Sequence, residues 1–455
     1  MKNKEMLEIE FLAKKYNENK IPLYVSYPTT SWWKDDLDYN TYKDSFKNSN
    51  INFIYVHFPY CKKPCYYCCC YKEVAKDETC NDKYLDYLDK EFKLKTDLIG
   101  KKNFSKINKI HWGGGTPTFM NLNQINKAFN IMKKYIDILD NQNNITMSIE
   151  AYPDKEVLTF EKLKLLKSLG FNEISLGIQD FDKNIQNTIN RDCNEEDVRE
   201  IVLNSKKLGL KVHIDLCYGL PFQGINEFSR TVNTIVSLDI ERVAVFSYIH
   251  FPMFFPMQKL IPKSSLGNSF MMVLLMKTAE RIFEENNFYK IGYDHFVKEE
   301  DPLFEKALEG SITRDFMGQS LVKDKNFVGF GNSAISYANN NMFHNIQSID
   351  KYYEVLEKGI IPLKNSKNHQ LSKDDRIRNR LILRSILSDF KINKTKYEFD
   401  FGINFDEYFE VELKELLEYE KDGLVENISS DKIIISNKGK YFARHIAHVF
   451  DKYYR

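Results

Sequence analysis

Tyr55-Val-His57-Phe-Pro59-Tyr-Cys61-Lys-Lys-Pro-Cys65-Tyr-Tyr-Cys68-Cys69-Cys70 joins a short apolar run, residues 51–58, to a loop with thiols at the spacing Cys61-x3-Cys65-x2-Cys68. Three thiolates complete three corners of a four-iron cube and leave one iron open, whereas such clusters are ordinarily closed by four cysteines. A compact triplet directly after a strand therefore points to a cluster that does chemistry at its free iron. Zinc, the plainer alternative, usually takes two separated Cys/His pairs, and no second pair is visible. A disulfide knot fits less well, because the sequence shows no signal peptide and crowded thiols persist in a reducing cytoplasm.

Outward from this loop, the 455 residues have room for two or three domains and a sizeable core. No uninterrupted apolar stretch reaches the roughly 18 to 20 residues of a membrane span, so a soluble, cytoplasmic protein is expected. Sixty-five Lys and Arg against 64 Asp and Glu leave a net charge of +1. That balance excludes the broad basic surface of a nucleic-acid binder and favours a small-molecule substrate. Cys80, Cys193 and Cys217 are scattered and read as packing residues.

Short β-rich runs recur at residues 53–58, 107–112, 145–151, 173–178, 211–216 and 242–248, with helix-period segments between them. The alternation predicts parallel strands with crossover helices, a partial (β/α)6 barrel of the TIM type in the α/β class. Polar residues cluster where the runs end. The cysteines follow the first, Gly113-Gly114-Gly115-Thr116-Pro117 the second, Glu150 ends the third, Gln179 follows the fourth, Asp215 ends the fifth, and Tyr248-Ile249-His250 the sixth. Barrels of this type build their active sites at the carboxyl ends of strands. Read singly, Glu150 or Asp215 is equally a helix cap or a surface ion pair, and the glycine run a plain turn. Residues 270–285 read as a core helix, and the lysine-rich 93–109 as a solvated helix and loop. Trp32-Trp33, Tyr66-Tyr67 and residues 251–255 read as packing or lid aromatics, and His57, His250 and His295 as hydrogen-bonded structure.

The cysteine spacing resembles that of the radical S-adenosylmethionine superfamily. Several further stretches narrow the likeness: Tyr24-Val-Ser26-Tyr27-Pro28-Thr29, His111-Trp-Gly-Gly-Gly-Thr-Pro-Thr118, Gly177-Ile-Gln179-Asp-Phe181, Asn190-Arg191, Ile214-Asp215-Leu-Cys-Tyr-Gly-Leu-Pro221, Asp294-His295-Phe296 and Gly329-Phe-Gly-Asn-Ser-Ala-Ile-Ser336. Together they resemble the oxygen-independent coproporphyrinogen III oxidase (coproporphyrinogen dehydrogenase) family almost end to end. The resemblance implies an N-terminal arm over 1–50 that closes over the active site, a radical SAM barrel with its extension over 51–365, and a mostly helical C-terminal domain over 366–455.

It also implies a reaction. A [4Fe-4S] cluster held by Cys61, Cys65 and Cys68 cleaves S-adenosylmethionine, and the 5'-deoxyadenosyl radical takes a hydrogen from a propionate β-carbon. Loss of carbon dioxide and one electron leaves a vinyl group, and two such rounds turn coproporphyrinogen III into protoporphyrinogen IX in haem biosynthesis. Carried over by position, Tyr55 lies by the cluster and nucleotide, and two S-adenosylmethionine molecules are lined by Gly114, Gly115, Thr116, Glu150, Gln179, Arg191, Asp215, Ile249 and Ile335. In this setting Glu150 and Asp215 accept ribose hydroxyls and Arg191 holds a carboxylate bidentately. The implied partners are a tetrapyrrole and an electron donor such as flavodoxin or ferredoxin, with the protein a monomer.

Departures fall near the substrate. Met317 and Leu23 stand where the family carries a glutamine and an arginine, so Gly318 and Gln319 are expected to replace the lost polar contact. A related radical enzyme on this scaffold, such as a methyltransferase or a haem-modifying enzyme, would show the same triplet with these changes. A haem-delivery module would not need the arm and C-terminal domain.

Overall fold

The computed structural model describes residues 3–16, 21–47, 49–136, 145–321, 326–364 and 367–454. Six parallel strands run in chain order: β1 (Phe53–Phe58), β2 (Lys109–Gly114), β3 (Thr146–Ala151), β4 (Glu173–Gln179), β5 (Lys211–Tyr218) and β6 (Arg242–Ser247). All six expected strands form; the second begins two residues later than its apolar run suggests. Helices α2 (Cys80–Ile99), α3 (Leu122–Tyr135), α4 (Phe160–Ser168), α5 (Glu195–Lys207) and α6 (Ile225–Val236) cross between them, and α7 (Ser269–Glu285) follows β6, after α1 (Asn3–Lys15) in the arm. Asn121 and Gln124 form a capping box that starts α3, which satisfies two amides the first turn leaves free.

Strand β4 shows why one face became a site. Ile174, Leu176 and Ile178 are buried beneath the helices, while Glu173, Ser175, Gly177 and Gln179 alternate onto the other face and stay partly open. The side-chain period of two puts all four on the lumen side. Register carries that face round the barrel: Tyr55 lies opposite His111, His111 opposite Ser148, Glu150 opposite Ser175, and Gly177 opposite Asp215.

Beyond the six units the sheet continues. After β7 (Tyr289–Ile291), β8 (His295–Val297), and the separate hairpin β9 (Ile312–Asp315) with β10 (Gly318–Leu321), strand β11 (Phe327–Phe330) returns to pair parallel with β1. Strands β12 (Ile335–Ala338), β13 (Asn341–His344) and β14 (His369–Gln370) extend that edge antiparallel, while β8 and β7 extend the edge beyond β6. The sheet does not close, as expected of a partial barrel.

One sequence expectation fails inside α2. The lysine-rich pattern predicts a solvated Lys95, yet this side chain is fully buried in an ion pair with buried Glu91 at 2.7 Å. Glu91 Oε2 accepts from Gly331 N (2.6 Å) and Tyr352 OH (2.7 Å), and Lys95 Nζ donates to Gly329 O (2.6 Å). The pair thus clamps the end of β11 to the helix. Composition alone does not separate such a lysine from its exposed neighbours.

The C-terminal region contains α8 (Lys373–Asn379), a π-helical continuation Arg380–Ile386, α9 (Glu410–Lys421), α10 (Ala443–Val449) and a three-stranded sheet. Its core is shared with the arm. Ile9, Leu12, Ala13 and Tyr16 are buried among Phe442 and Ile446, Tyr16 stacks on Tyr419 at 4.7 Å, and Tyr24 OH donates to Asp451 Oδ2 at 2.9 Å.

Candidate active site

The cysteine loop leaves β1 and is closed at its base where Tyr60 and Cys61 pair with Glu73 and Val74. Cys61 and Cys65 are buried, Cys68 is half-buried, Cys69 and Cys70 are exposed, and all are free thiols. A hydrogen bond from Cys70, with help from the Lys72 ammonium, outweighs burial and holds Cys68 well below the ordinary thiol value. Burial pushes Cys61 up to about 11, and its Sγ lies 3.3 Å from Thr116 Oγ1. Arg191 Nη1 donates to Cys65 Sγ at 3.3 Å. No three His, Cys, Asp or Glu side chains among the described residues converge as ligands of a single ion. A cube held at its corners needs thiols set apart around it. Three unpaired thiols on one loop, one acidified and two in contact with polar side chains, are a donor set that fits an iron-sulfur cluster.

Beside the loop, strand ends deliver a connected polar row. Burial lowers His57 to about 4, so the ring is neutral at pH 7. Its Nε2–H donates to Tyr71 O (3.2 Å), leaving Nδ1 to accept from Tyr55 OH (3.0 Å). Tyr55 stacks on His111 with 6.1 Å between ring centres. His111 contacts Ser148 Oγ through Nδ1 (2.7 Å) and donates from Nε2 to Glu150 Oε1 (3.2 Å), whose other oxygen accepts from Gly114 N (3.1 Å). Glu150 is therefore a held lumen carboxylate, 37% exposed at its side chain, and not a helix cap or a surface ion pair. His57, expected only as hydrogen-bonded structure, and His111 and Ser148, which the motifs do not mark as site residues, alternate with Tyr55 and Glu150 on β1 to β3, a signal legible in the sequence.

Neighbouring side chains already require the glycine run. A Cβ on Gly114, at φ +114°, would stand 2.5 Å from the His57 ring, and one on Gly115 would stand 2.5 Å from Pro59 O. Close approach is needed here for packing under the cysteine loop as well as for any ligand.

Across the barrel, β4 bulges between Gly177 and Gln179, and Gln179 takes φ +71°. Arg191 is buried with its guanidinium over Tyr152 at 4.7 Å. Its Nη2 donates to Gly177 O, and its Nε has no described partner. Asp215 accepts from Ser175 Oγ at 2.9 Å, and burial raises its carboxyl to about 7. Ile249 O and Tyr67 O both accept from Nε2 of buried Gln258, at 3.1 and 3.3 Å, which ties the loop after β6 to the cysteine loop. Ile335 packs with Trp33, Phe316 and Met342 near β1's partner strand.

Gln319 does not face this site. It is buried, and its Oε1 accepts from Ser388 Oγ at 2.9 Å on the C-terminal side; in a β-hairpin, consecutive residues point to opposite faces. Met317 is half-buried at the hairpin turn, its amide held by Asp315 Oδ1 at 2.7 Å. His295 is structural, bonded to Asp294 at 2.8 Å, which also pairs with buried Arg314. Cys193, Cys217 and Trp33 are buried packing residues.

Residues 55–235 match the Radical SAM superfamily. The oxygen-independent coproporphyrinogen III oxidase of Salmonella typhimurium is 31% identical over 447 residues, covering 98% of this chain and 95% of that protein. The Synechocystis enzyme of the same name is 30% identical over 458 residues, covering 98% and 96%. The chain belongs to the oxygen-independent coproporphyrinogen III oxidase family. The solved structure of coproporphyrinogen III oxidase (HemN) from Escherichia coli, described as a radical SAM enzyme, superposes with a TM-score of 0.86 at 30% identity, covering 95% of this chain and 97% of that one. Membership in the superfamily implies a [4Fe-4S] cluster and S-adenosylmethionine as cofactors. No helix among the described residues is long and apolar enough to cross a membrane.

Proposed function

We propose that this protein carries out the oxygen-independent oxidative decarboxylation of coproporphyrinogen III to protoporphyrinogen IX, converting two propionates to vinyls with release of two carbon dioxide molecules. The full-length match at 30% identity and TM-score 0.86 carries this reading, and the polar row beside a three-thiol loop agrees with it. When bound, the cluster and S-adenosylmethionine supply the hydrogen-abstracting radical and accept the electron that starts each round.

Within this reading Cys61, Cys65 and Cys68 hold the cluster. Tyr55 lies against it, oriented by His57 and His111. Glu150, anchored by His111 and Gly114, accepts hydroxyl donors of one nucleotide. Gly115, Thr116, Gln179, Arg191, Asp215, Ile249 and Ile335 line the two S-adenosylmethionine sites, with Arg191 aimed at a carboxylate and Asp215 at a ribose. The arm over 1–50 and the domain over 366–455 enclose the barrel and extension at 51–365, excluding water from the radical. The electron donor is a flavodoxin or ferredoxin, and the protein works as a cytoplasmic monomer. A related two-S-adenosylmethionine reaction, such as a methyl transfer, is favoured only by Met317 and Leu23.

Anaerobic incubation of reconstituted protein with S-adenosylmethionine, a reductant and coproporphyrinogen III should give tripropionate and protoporphyrinogen species by mass spectrometry, with carbon dioxide. Cleavage of S-adenosylmethionine without carbon dioxide, or a methylated product with S-adenosylhomocysteine, would overturn it.

A further inference from the structure

A half-open cavity of about 450 Å³ is lined by the arm, the β9–β10 hairpin, strands β11 to β13 and the C-terminal helices. Its lining is part apolar and aromatic, with Phe316, Phe327, Ile335 and Tyr337, and part charged, with Arg376, Arg380 and Arg384 alongside Asp315 and Asp400; Val25 and Ser26 of the arm also line it. The space adjoins the polar row: Tyr55 is the register partner of Gly329, and a Cβ on Gly329 would stand 2.2 Å from Ile335 O.

The three arginines recur every fourth residue along α8 and its π-helical continuation. A π-helical stretch of seven residues is rare, and such stretches concentrate at functional sites. Here it holds Arg380 and Arg384 on the same side as Arg376, all lining the cavity. Their charges are incompletely used. Exposed Arg376 has no carboxylate partner among the described residues, and Arg380 pairs with Asp400 at 2.6 Å, itself a lining residue, whereas Arg384 turns its head away to Gly310 O and Asp389. Planar guanidiniums in a row suit several carboxylates at once, and the apolar part of the lining suits the ring that bears them.

We propose that this cavity is a polycarboxylate subsite. It takes one edge of a tetrapyrrole, its macrocycle against Phe327, Ile335 and Tyr337 and its non-reacting propionates on Arg376 and Arg380. The inference rests on the proposed function for the identity of the substrate, but the arginine row makes its own prediction about carboxylates.

The probe is coproporphyrin III, the stable oxidised tetracarboxylate, titrated by fluorescence into reconstituted full-length protein beside its tetramethyl ester. Arg376→Gln and Arg380→Gln should each weaken the acid about tenfold or more, Arg376→Lys should recover part of the loss, and Lys373→Gln on the same helix should bind as wild type. The ester should bind all variants alike and more weakly. In turnover, the KM for coproporphyrinogen III should rise while S-adenosylmethionine cleavage persists. Arg376 is exposed, so its variants test the idea even if Arg380→Gln fails to fold. Equal binding of the acid by the Arg376 variants and wild type, or equal binding of acid and ester, overturns the subsite. If carbon dioxide is released with unchanged KM in the variants, the subsite falls and the decarboxylase stands. Arginine-dependent binding in a protein that releases no carbon dioxide leaves the subsite standing and removes the decarboxylase.

Discussion

Cys69 lies between two thiols that bond each other, yet its own surroundings differ. Desolvation of its sulfur within the loop and the neighbouring Cys68 push Cys69 up, although the residue is exposed, while the hydrogen bond from Cys70 holds Cys68 down. Changing Cys61, Cys65 or Cys68 to alanine should abolish the brown chromophore of reconstituted protein, and Cys69→Ala should keep iron near wild type; iron retained in Cys68→Ala and lost in Cys69→Ala would move the ligand register. Asp215 offers a second residue-level test. Its carboxyl holds its proton to about pH 7 in the fold against an ordinary 3.8, because the barrel lumen strips water from this half-buried group. The folded state therefore binds more protons than the unfolded one between these values. Its contribution to stability is complete below about pH 4 and is lost as pH rises through 7. Asp215→Asn, which carries no charge to bury, should gain thermal midpoint over the ligand-free wild type from pH 5 to pH 8. Parallel melting curves at both pH values would show the group to be solvated. The residue types of both sites could be read from the sequence, and Cys70 and Lys72 stand close to Cys68 along the chain, but Ser175 reaches Asp215 only through strand register.

Strand β1 is where element-scale packing and the site meet. It is held on one side by β2 and on the other by β11, a strand that arrives some 270 residues later in the chain. Helix α2 secures β11 through the Glu91–Lys95 pair. Removing one partner of a buried pair leaves an uncompensated charge, which costs about 3 to 5 kcal/mol, whereas removing both is far milder. Urea unfolding should show Lys95→Met strongly destabilised and Glu91→Gln/Lys95→Met closer to wild type. A double variant no better than the single one would mean that the hydrogen bonds of Glu91 to Gly331 and Tyr352, and not the charge pair, hold the strand end. The six main strands were legible because their apolar runs are long and regularly spaced. Strand β11 was not: four residues flanked by glycine carry too weak a pattern, and its pairing with β1 is non-local.

At the scale of the whole molecule, residues within 9–27 share a buried core with residues within 377–450, and both segments line the cavity that holds Arg376. Leu12, 2% exposed in that shared core, should cost about 2 to 5 kcal/mol when cut back to alanine. The arm and C-terminal helices should then lose protection from proteolysis together; cleavage of the arm with the C-terminal domain still protected would show it to be a separate flap. By itself the sequence determined the α/β class, the six-strand order, the open cysteine triplet and the strand ends that carry polar groups, because each is written in local spacing: period-two alternation, helix period, and ligand intervals within one loop. Tertiary structure alone decided that Lys95 is buried, that Gln319 faces the C-terminal domain, that His57 and His111 orient Tyr55 and Glu150, and that three arginines from the far end of the chain line a cavity one strand away from Tyr55. Each of these depends on contacts between residues remote in sequence, where burial and register, not composition, set which groups meet.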